Sequence, residues 1–311
     1  MERILITGGG GYIGSILTPH LLALGYKVTV LDRFDQSLNP LSMVCSNPNF
    51  DAIRGDCRNP DTVLPLIKDA DIIIPLAALV GAPLCQQDPL SAKAVNVDAV
   101  RLIMTNLGKG QVVLFPVTNS GYGIGEDGIF CDENAPLRPV SLYGKQKVEA
   151  ESLVMEHANS IAFRLATVFG MAPRMRIDLL VNDFTYRAVR DRTVVIFEGH
   201  FKRNYIHIRD VANGFAHGLD NHAAMAGQVY NMGLSDANLS KIELAERIRQ
   251  QVPSFSYIQA EFGEDPDKRD YIVSNEKLEA TGWKPQHSLD QGITELLKGF
   301  RTIRNEIYSN V

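Results

Sequence analysis

"RILITGGGGYIG", residues 3–14, decides the architecture. "RILIT" (3–7) reads as a short buried strand, and Tyr12 to Leu24 carries a helical period. Between them stand Gly8, Gly9, Gly10 and Gly11, with Gly14 one turn further on. A strand that turns on glycines into a helix leaves the first helical N–H groups open, and glycine lets an anion approach that backbone. Two registers fit: Gly9, Gly11 and Gly14 as G-x-G-x-x-G, or Gly8, Gly11 and Gly14 as G-x-x-G-x-x-G. Either suits a pyrophosphate. "KVTVL" (27–31) is the next strand, and Asp32 ends it eighteen residues after Gly14. A carboxylate there accepts hydrogen bonds from ribose hydroxyls and repels a 2′-phosphate, which favours NAD. Arg33 follows directly and is the residue that would face such a phosphate, which keeps NADP open. The bland alternative is a glycine-rich turn with no ligand; the strand before, the helix after and the acid beyond weigh against it.

Outward from this stretch the same rhythm continues. "DIIIPL" (71–76), "QVVLF" (111–115) and "SIAFRL" (160–165) read as strands, and Ala92–Leu107 and Ser141–His157 as helices. Strands alternating with helices imply right-handed crossovers and a doubly wound parallel sheet, an α/β fold of Rossmann type. After about residue 167 short polar and proline-containing pieces break the rhythm, as in "MAPRMRIDLLVNDF" and "EFGEDPDKRDY". This divides the chain into a nucleotide-binding domain, 1–167, and a smaller substrate-binding lobe, 168–311. "NYIHIRDVANGFAHGL" (204–219) reads as a further strand and helix, so about 204–231 is expected to return to the first domain.

Composition limits the function classes. The 311 residues are 45% apolar and 22% charged, with a formal net charge of −5, so no basic surface for nucleic acid is expected. No apolar run reaches the ~18 residues of a membrane span. "MERILITGGGG" enters a strand directly, without the marks of a secretory leader, which predicts a cytoplasmic protein. Cys45, Cys57, Cys85 and Cys131 show no close pairing and read as reduced thiols. The seven histidines show no metal-ligand spacing, and no metal is expected.

A second stretch carries chemistry. In "LYGKQKVEAE" Tyr143 and Lys147 stand four apart on one helix face, about 6 Å along the axis. A free phenol titrates near ~10, too high for a base at neutral pH, and a neighbouring ammonium favours the phenolate. Alone, such a pair is more often an amphipathic surface pair. A third stretch, "TNSGYGIGE" (118–126), ends the strand at 111–115, where open α/β sheets place their sites.

With these stretches in view the chain resembles the extended short-chain dehydrogenase/reductase family, the nucleotide-sugar epimerases, dehydratases and dehydrogenases. The resemblance spans nearly the whole chain. It rests on "TGGGGYIG", Gly55-Asp56, "LAALVG" (76–81), "NVDAVR" from Asn96, Tyr143-x-x-x-Lys147, "RNYIHIRDVA" from Arg203 and "GWKP" (282–285). It implies a nicotinamide cofactor held by Gly8, Gly11, Tyr12, Ile13 and Gly14, by Asp32 and Arg33, by Asp56 and Cys57 beside the adenine, and by Leu76, Ala77 and Ala78. It makes Tyr143 the catalytic acid/base. Lys147 holds the nicotinamide ribose and lowers the tyrosine pKa, and Thr118 binds the sugar oxygen that is oxidised.

The chain departs from the pattern in two places. Similar 4,6-dehydratases carry an acidic pair where this chain has Asn119 and Ser120, so the elimination machinery is missing from its usual position. Thr167 stands where the family often has Asn. The resemblance further assigns Asn119, Ser120, Asn182, Arg203 and Arg269 to substrate binding; arginine suits a diphosphate because its donors form a planar fork. "RLATVFGMAPRMRIDLLVNDFTYRAVRD" and "GEDPDKRDY" look like the GDP-heptose 4-dehydrogenase branch, which oxidises a GDP-manno-heptose on the route to surface-polysaccharide heptoses. Cys85, near the expected site, reads as a buried inert thiol. The reaction so implied is oxidation of the C4 hydroxyl of a nucleotide-diphosphate sugar to a ketone, with NADH reoxidised by a second substrate or exchanged. A 4-epimerase using the same residues is the enzymatic alternative, and an NAD(H)-binding sensor the non-enzymatic one. Family practice implies a homodimer through the helices 92–107 and 141–157.

Overall fold

The structure, a computed structural model, describes residues 1–35, 39–126, 128–260 and 269–303. Its centre is a seven-stranded, wholly parallel sheet. The strands are β1 (Arg3–Thr7), β2 (Lys27–Asp32), β3 (Phe50–Arg54), β4 (Ile72–Pro75), β5 (Val112–Thr118), β7 (Ser160–Leu165) and β11 (Gln228–Met232), with β6 (Phe130–Cys131), β8 (Thr167–Phe169), β9 (Thr193–Ile196) and β10 (Lys202–His207) lying outside it. The spatial order is β3-β2-β1-β4-β5-β7-β11. The direction of strand addition reverses between β1 and β4, and such a switch point opens a crevice at the carboxyl ends of the strands. β4 and β7 are buried along their whole length, which is why they read as continuous apolar runs. Helices cover both faces. Val63, Ile67, Ala99 and Ile103 from two of them pack on Leu5, Leu31 and Ile73, while Leu17 and Leu21 join the large core on the other side.

The segment 204–231 is split between two environments. Helix Ile208–Asp220 packs beside helix Gly14–Ala23, and β11 pairs with β7 in the large sheet. The strand at its head, β10, pairs instead with β8 and with β12 (Asn238–Ser240) in a three-stranded sheet. Two smaller parallel pairs complete the second lobe: β9 with β13 (Ser256–Gln259), and β6 with β14 (Ile272–Val273). One continuous core joins the lobes, running from Ile4 and Leu17 through Phe169 and Phe184 to Leu296.

The expected helix 92–107 is broken. It forms as Pro89–Lys93, a π-turn over Ala94–Asp98, and Ala99–Thr105. The wide turn takes in Asn96, only 1% exposed, whose side chain accepts from Leu79 N at 2.8 Å and donates to Leu79 O at 3.0 Å and Gln146 Oε1 at 2.9 Å. A π-turn at such a place positions a side chain that a regular helix would misdirect. No described helix is long and apolar enough to cross a membrane.

Candidate active site

The crevice at the switch point is a cleft of about 860 Å³. Its floor begins at the glycine loop. Gly8 has φ +75°, and a Cβ there would lie 2.5 Å from Ala77 N. Gly14 is equally constrained, with Gly9 O 2.4 Å from its missing Cβ. Gly8, Gly10, Gly11 and Gly14 line the cleft, whereas Gly9 packs under Val30. The spacing Gly8, Gly11, Gly14 is thus the one that faces the cleft. Helix Gly14–Ala23 has no side-chain cap, and the amides of Tyr12 and Ile13 have no partner among the described residues. Open amides at a glycine-lined helix start fit a pyrophosphate.

Asp32 holds this loop together. Its Oδ2 accepts Gly10 N at 2.9 Å and its Oδ1 accepts Phe34 N at 2.8 Å, which leaves lone pairs on the cleft side for ribose hydroxyls. Arg33, also on the cleft, is ion-paired with Asp35. Asp56 and Cys57 line the same end with Leu76, Ala77 and Ala78. The Asp56 carboxylate is gripped by Arg58, with Nη2 at 2.6 Å, and this guanidinium holds its pKa below the usual range. The sequence reading passed over Arg58, which also lines the cleft. Burial pushes the Cys57 thiol up to about 11.

The other end of the cleft gathers Thr118, Ser120, Tyr143 and Lys147. Helix Leu142–Met155 starts at Ser141, whose hydroxyl accepts Gly144 N at 3.1 Å; this cap sets Tyr143 and Lys147 on the inner face. Lys147 is 4% exposed, with Nζ 4.0 Å from the Phe115 ring centroid. Burial lowers its pKa to about 7, and Glu151 one turn on opposes that fall. Tyr143 is raised to about 12 by burial, and the cations that pull it back are Arg176 and Arg269. Lys147 stands one turn from Tyr143 on the same helix and lines the same cleft.

These arginines come from the second lobe. Arg174, Arg176, Arg203 and Arg269 line the cleft with Lys241. Arg174 and Arg176 were not singled out from the sequence; the R-x-R spacing just after β8 was the available signal. Arg176 pairs with Asp178, and Arg203 donates to Lys202 O at 2.8 Å. Of the stretch "GEDPDKRDY", residues 263–268 lie outside the described residues.

Two assigned residues do not face the cleft. Asn182 is fully buried; its Oδ1 accepts Gly170 N at 3.1 Å, and its Nδ2 donates to Arg176 O at 2.8 Å and Tyr12 Oη at 3.2 Å. It acts as a bracket, since Tyr12 also donates to Gly170 O at 2.6 Å and ties the glycine loop to the second lobe. The Tyr12 phenol is thereby spent on structure. Asn119 is 1% exposed, and its amide has no partner among the described residues. Cys85 is fully buried with its thiol 3.2 Å from Leu79 O, and burial raises its pKa.

Away from the cleft His207, Asp210 and His287 bring ligand-type atoms within 4.8 Å of one another, although their spacing gave no sign of it. Several of their polar atoms are engaged in structure. Asp210 accepts Gln286 N, His287 N and His287 Nδ1 at 2.9–3.0 Å, and His207 Nδ1 caps the following helix by accepting Arg209 N at 3.3 Å. His207 Nε2 lies 3.3 Å from Glu295.

Comparison with known proteins bears on this geometry. Residues 4–233 match the family described as the NAD dependent epimerase/dehydratase family. The low-salt glycan biosynthesis protein Agl12 of Haloferax volcanii is 30% identical over 305 residues, covering 93% of this chain and 96% of the relative. A dTDP-glucose 4,6-dehydratase of Bacillus anthracis, solved with NAD, superposes with a TM-score of 0.83 at 22% identity, covering 99% of each chain. A UDP-glucuronic acid 4-epimerase of Bacillus cereus, solved with UDP-glucuronic acid and NAD, gives 0.84 at 22% identity, covering 96% of this chain and 99% of the other.

Proposed function

The chain belongs to the NAD dependent epimerase/dehydratase family, and from that premise we propose that it oxidises the C4 hydroxyl of a nucleotide-diphosphate sugar to a ketone without dehydration. The observation that carries the reading is the composition of the loop after β5. Thr118 stands in the cleft with Tyr143 and Lys147, but the next two residues supply no carboxylate: Asn119 is buried and Ser120 offers only a hydroxyl. Oxidation of a carbinol needs a base for its proton and a group that orients its oxygen, roles that fall to Tyr143 and Thr118. Elimination needs in addition an acid for the departing hydroxyl and a base for the C5 proton, which this loop lacks.

When bound, NAD supplies the hydride acceptor. The amides of Tyr12 and Ile13 with Gly8, Gly11 and Gly14 would hold its pyrophosphate, Asp32 its adenosine ribose and Lys147 its nicotinamide ribose. Arg203 and Arg269, joined by Arg174 and Arg176, would meet the diphosphate and the sugar. The favoured substrate, GDP-manno-heptose, rests on the sequence resemblance, and the glycan biosynthesis named for the archaeal relative accords with it. The homodimer belongs to the same proposal; it would cover the exposed Arg101–Glu149 pair that joins helices Ala99–Thr105 and Leu142–Met155.

Mass spectrometry of the product decides the reaction. Loss of two hydrogens with reduction of NAD is expected. Loss of one water with no net reduction overturns the reading, and an unchanged mass with inverted C4 selects the epimerase.

The placement of Asp32 predicts the cofactor preference. NAD should bind more tightly than NADP, and Asp32→Ala should narrow the gap. Fluorescence titration of both cofactors checks this; tighter NADP binding by the unaltered protein would transfer the role to Arg33.

A further inference from the structure

The loop Thr118–Gly123 and the segment Arg269–Val273 lie some 150 residues apart in the chain and are laced together by backbone. β14 pairs with β6 in register Ile272↔Phe130 and Val273↔Cys131. Gly125 N donates to Asp270 O at 2.8 Å, and Asp270 N donates to Gly123 O at 3.2 Å. The Asp270 side chain in turn accepts Lys202 N at 2.8 Å. This lacing brings Arg269 onto the catalytic loop, where its Nη1 donates to Ser120 Oγ. Ser120 Oγ lies 2.8 Å from Thr118 Oγ1, which also accepts Ser120 N at 3.1 Å.

A guanidinium is a donor only. Beside it, the Ser120 hydroxyl turns its oxygen to the cation and its hydrogen away. Among the described residues the acceptor it meets there is Thr118 Oγ1. In that orientation Thr118 would accept twice, from the Ser120 amide and from the Ser120 hydroxyl, and its own hydrogen would point into the cleft. Each bond in such a chain polarises the next.

We propose that Arg269 and Ser120 are positioning residues that fix Thr118 as a hydrogen-bond donor to the oxygen of the carbinol. This rests on the oxidation proposed above. With Thr118 donating, the carbinol proton has one destination, Tyr143 Oη. The C–H hydride leaves to the nicotinamide, the C–O bond becomes C=O, and the Thr118 proton stays where it is. Were Thr118 turned the other way, it would accept a hydrogen bond from the carbinol and hold that hydrogen off the line to Tyr143. The relay occupies the place of the dehydratases' acidic pair, so the same loop position that withholds elimination serves the oxidation.

The test is single-turnover hydride transfer, followed by nicotinamide absorbance, in the wild type, Ser120→Ala, Ser120→Thr, Arg269→Gln and the double variant Ser120→Ala/Arg269→Gln. Ser120→Ala should slow the transfer by about tenfold, less than the ~10²–10³ of losing a direct donor, because Thr118 itself remains. Its affinity for GDP, measured by calorimetry, and its KM should stay within about twofold. Ser120→Thr restores the hydroxyl and should restore the rate. The double variant should transfer hydride no more slowly than Arg269→Gln alone, because the two residues act in one line. Wild-type transfer in Ser120→Ala overturns the relay and leaves the oxidation standing. So does an Arg269→Gln variant that loses only GDP affinity. A wild type that transfers no hydride to NAD with any nucleotide sugar removes both.

Discussion

Tyr143→Phe is expected to slow turnover by about two to four orders of magnitude, the range of a positioned general acid/base. The substitution keeps the ring and its volume, so the cleft wall stays in place and NAD affinity should change little. What is lost is one oxygen, in the cleft that Thr118 and Ser120 also line. Burial pushes the pKa of that oxygen up to about 12. The charges of Arg176 and Arg269 favour its phenolate. The wild-type rate should accordingly climb with pH above neutrality, because the phenolate fraction grows, and Tyr143→Phe should flatten that climb. A fall in kcat and kcat/KM together marks an interaction made in the transition state. Near-normal turnover in this variant would remove Tyr143 from the chemistry.

How far such a site is legible without coordinates depends on how local its parts are. The glycine loop and its acid lie within one β-α-β unit, and Tyr143 and Lys147 within one helical turn, so spacing alone places them. β3 went unread: it is an edge strand, "FDAIR", none of whose residues is fully buried and whose composition shows no apolar run. The π-turn at Ala94–Asp98 was invisible because its cause, the contacts of Asn96 with Leu79 and Gln146, is tertiary. Asn182 is a case that spacing does not decide: the resemblance assigns it to substrate binding, and its buried side chain bridges Gly170, Arg176 and Tyr12. Arg174 and Arg176 look like surface charges in a polar stretch and become cleft residues only once the second lobe folds over the sheet.

Glu151→Gln is expected to cost about 3–5 kcal/mol of stability, the loss typical of breaking a buried ion pair from one side. Arg164 on β7 and Glu151 on helix Leu142–Met155 are 6% and 8% exposed in their side chains. They meet in a two-pronged contact, Nε to Oε2 at 2.9 Å and Nη2 to Oε1 at 2.7 Å. Arg164 also donates to Tyr122 Oη and to Glu133 O, each at 3.1 Å, and Tyr122 donates to Asn231 Oδ1 at 2.6 Å. The pair thus braces the catalytic loop, its helix and two sheet strands from beneath, and the glutamine would leave the guanidinium buried without its counter-charge. Denaturant melts should show the loss as a lower midpoint with unchanged slope, and Glu151→Leu with Arg164→Met, which removes both charges, should recover most of it. The same carboxylate also supports the Lys147 charge. Lys147 titrates near 7 in the folded protein against an ordinary 10.5. Between those values the unfolded chain binds more protons, so the Lys147 contribution to stability rises with pH across that window. Without Glu151 the folded pKa drops further and the window extends below pH 7. The doubly apolar variant separates the two effects: its stability should return while its pH dependence stays displaced toward acid. A return of both to wild type would show that Glu151 braces the fold and has no hold on the lysine.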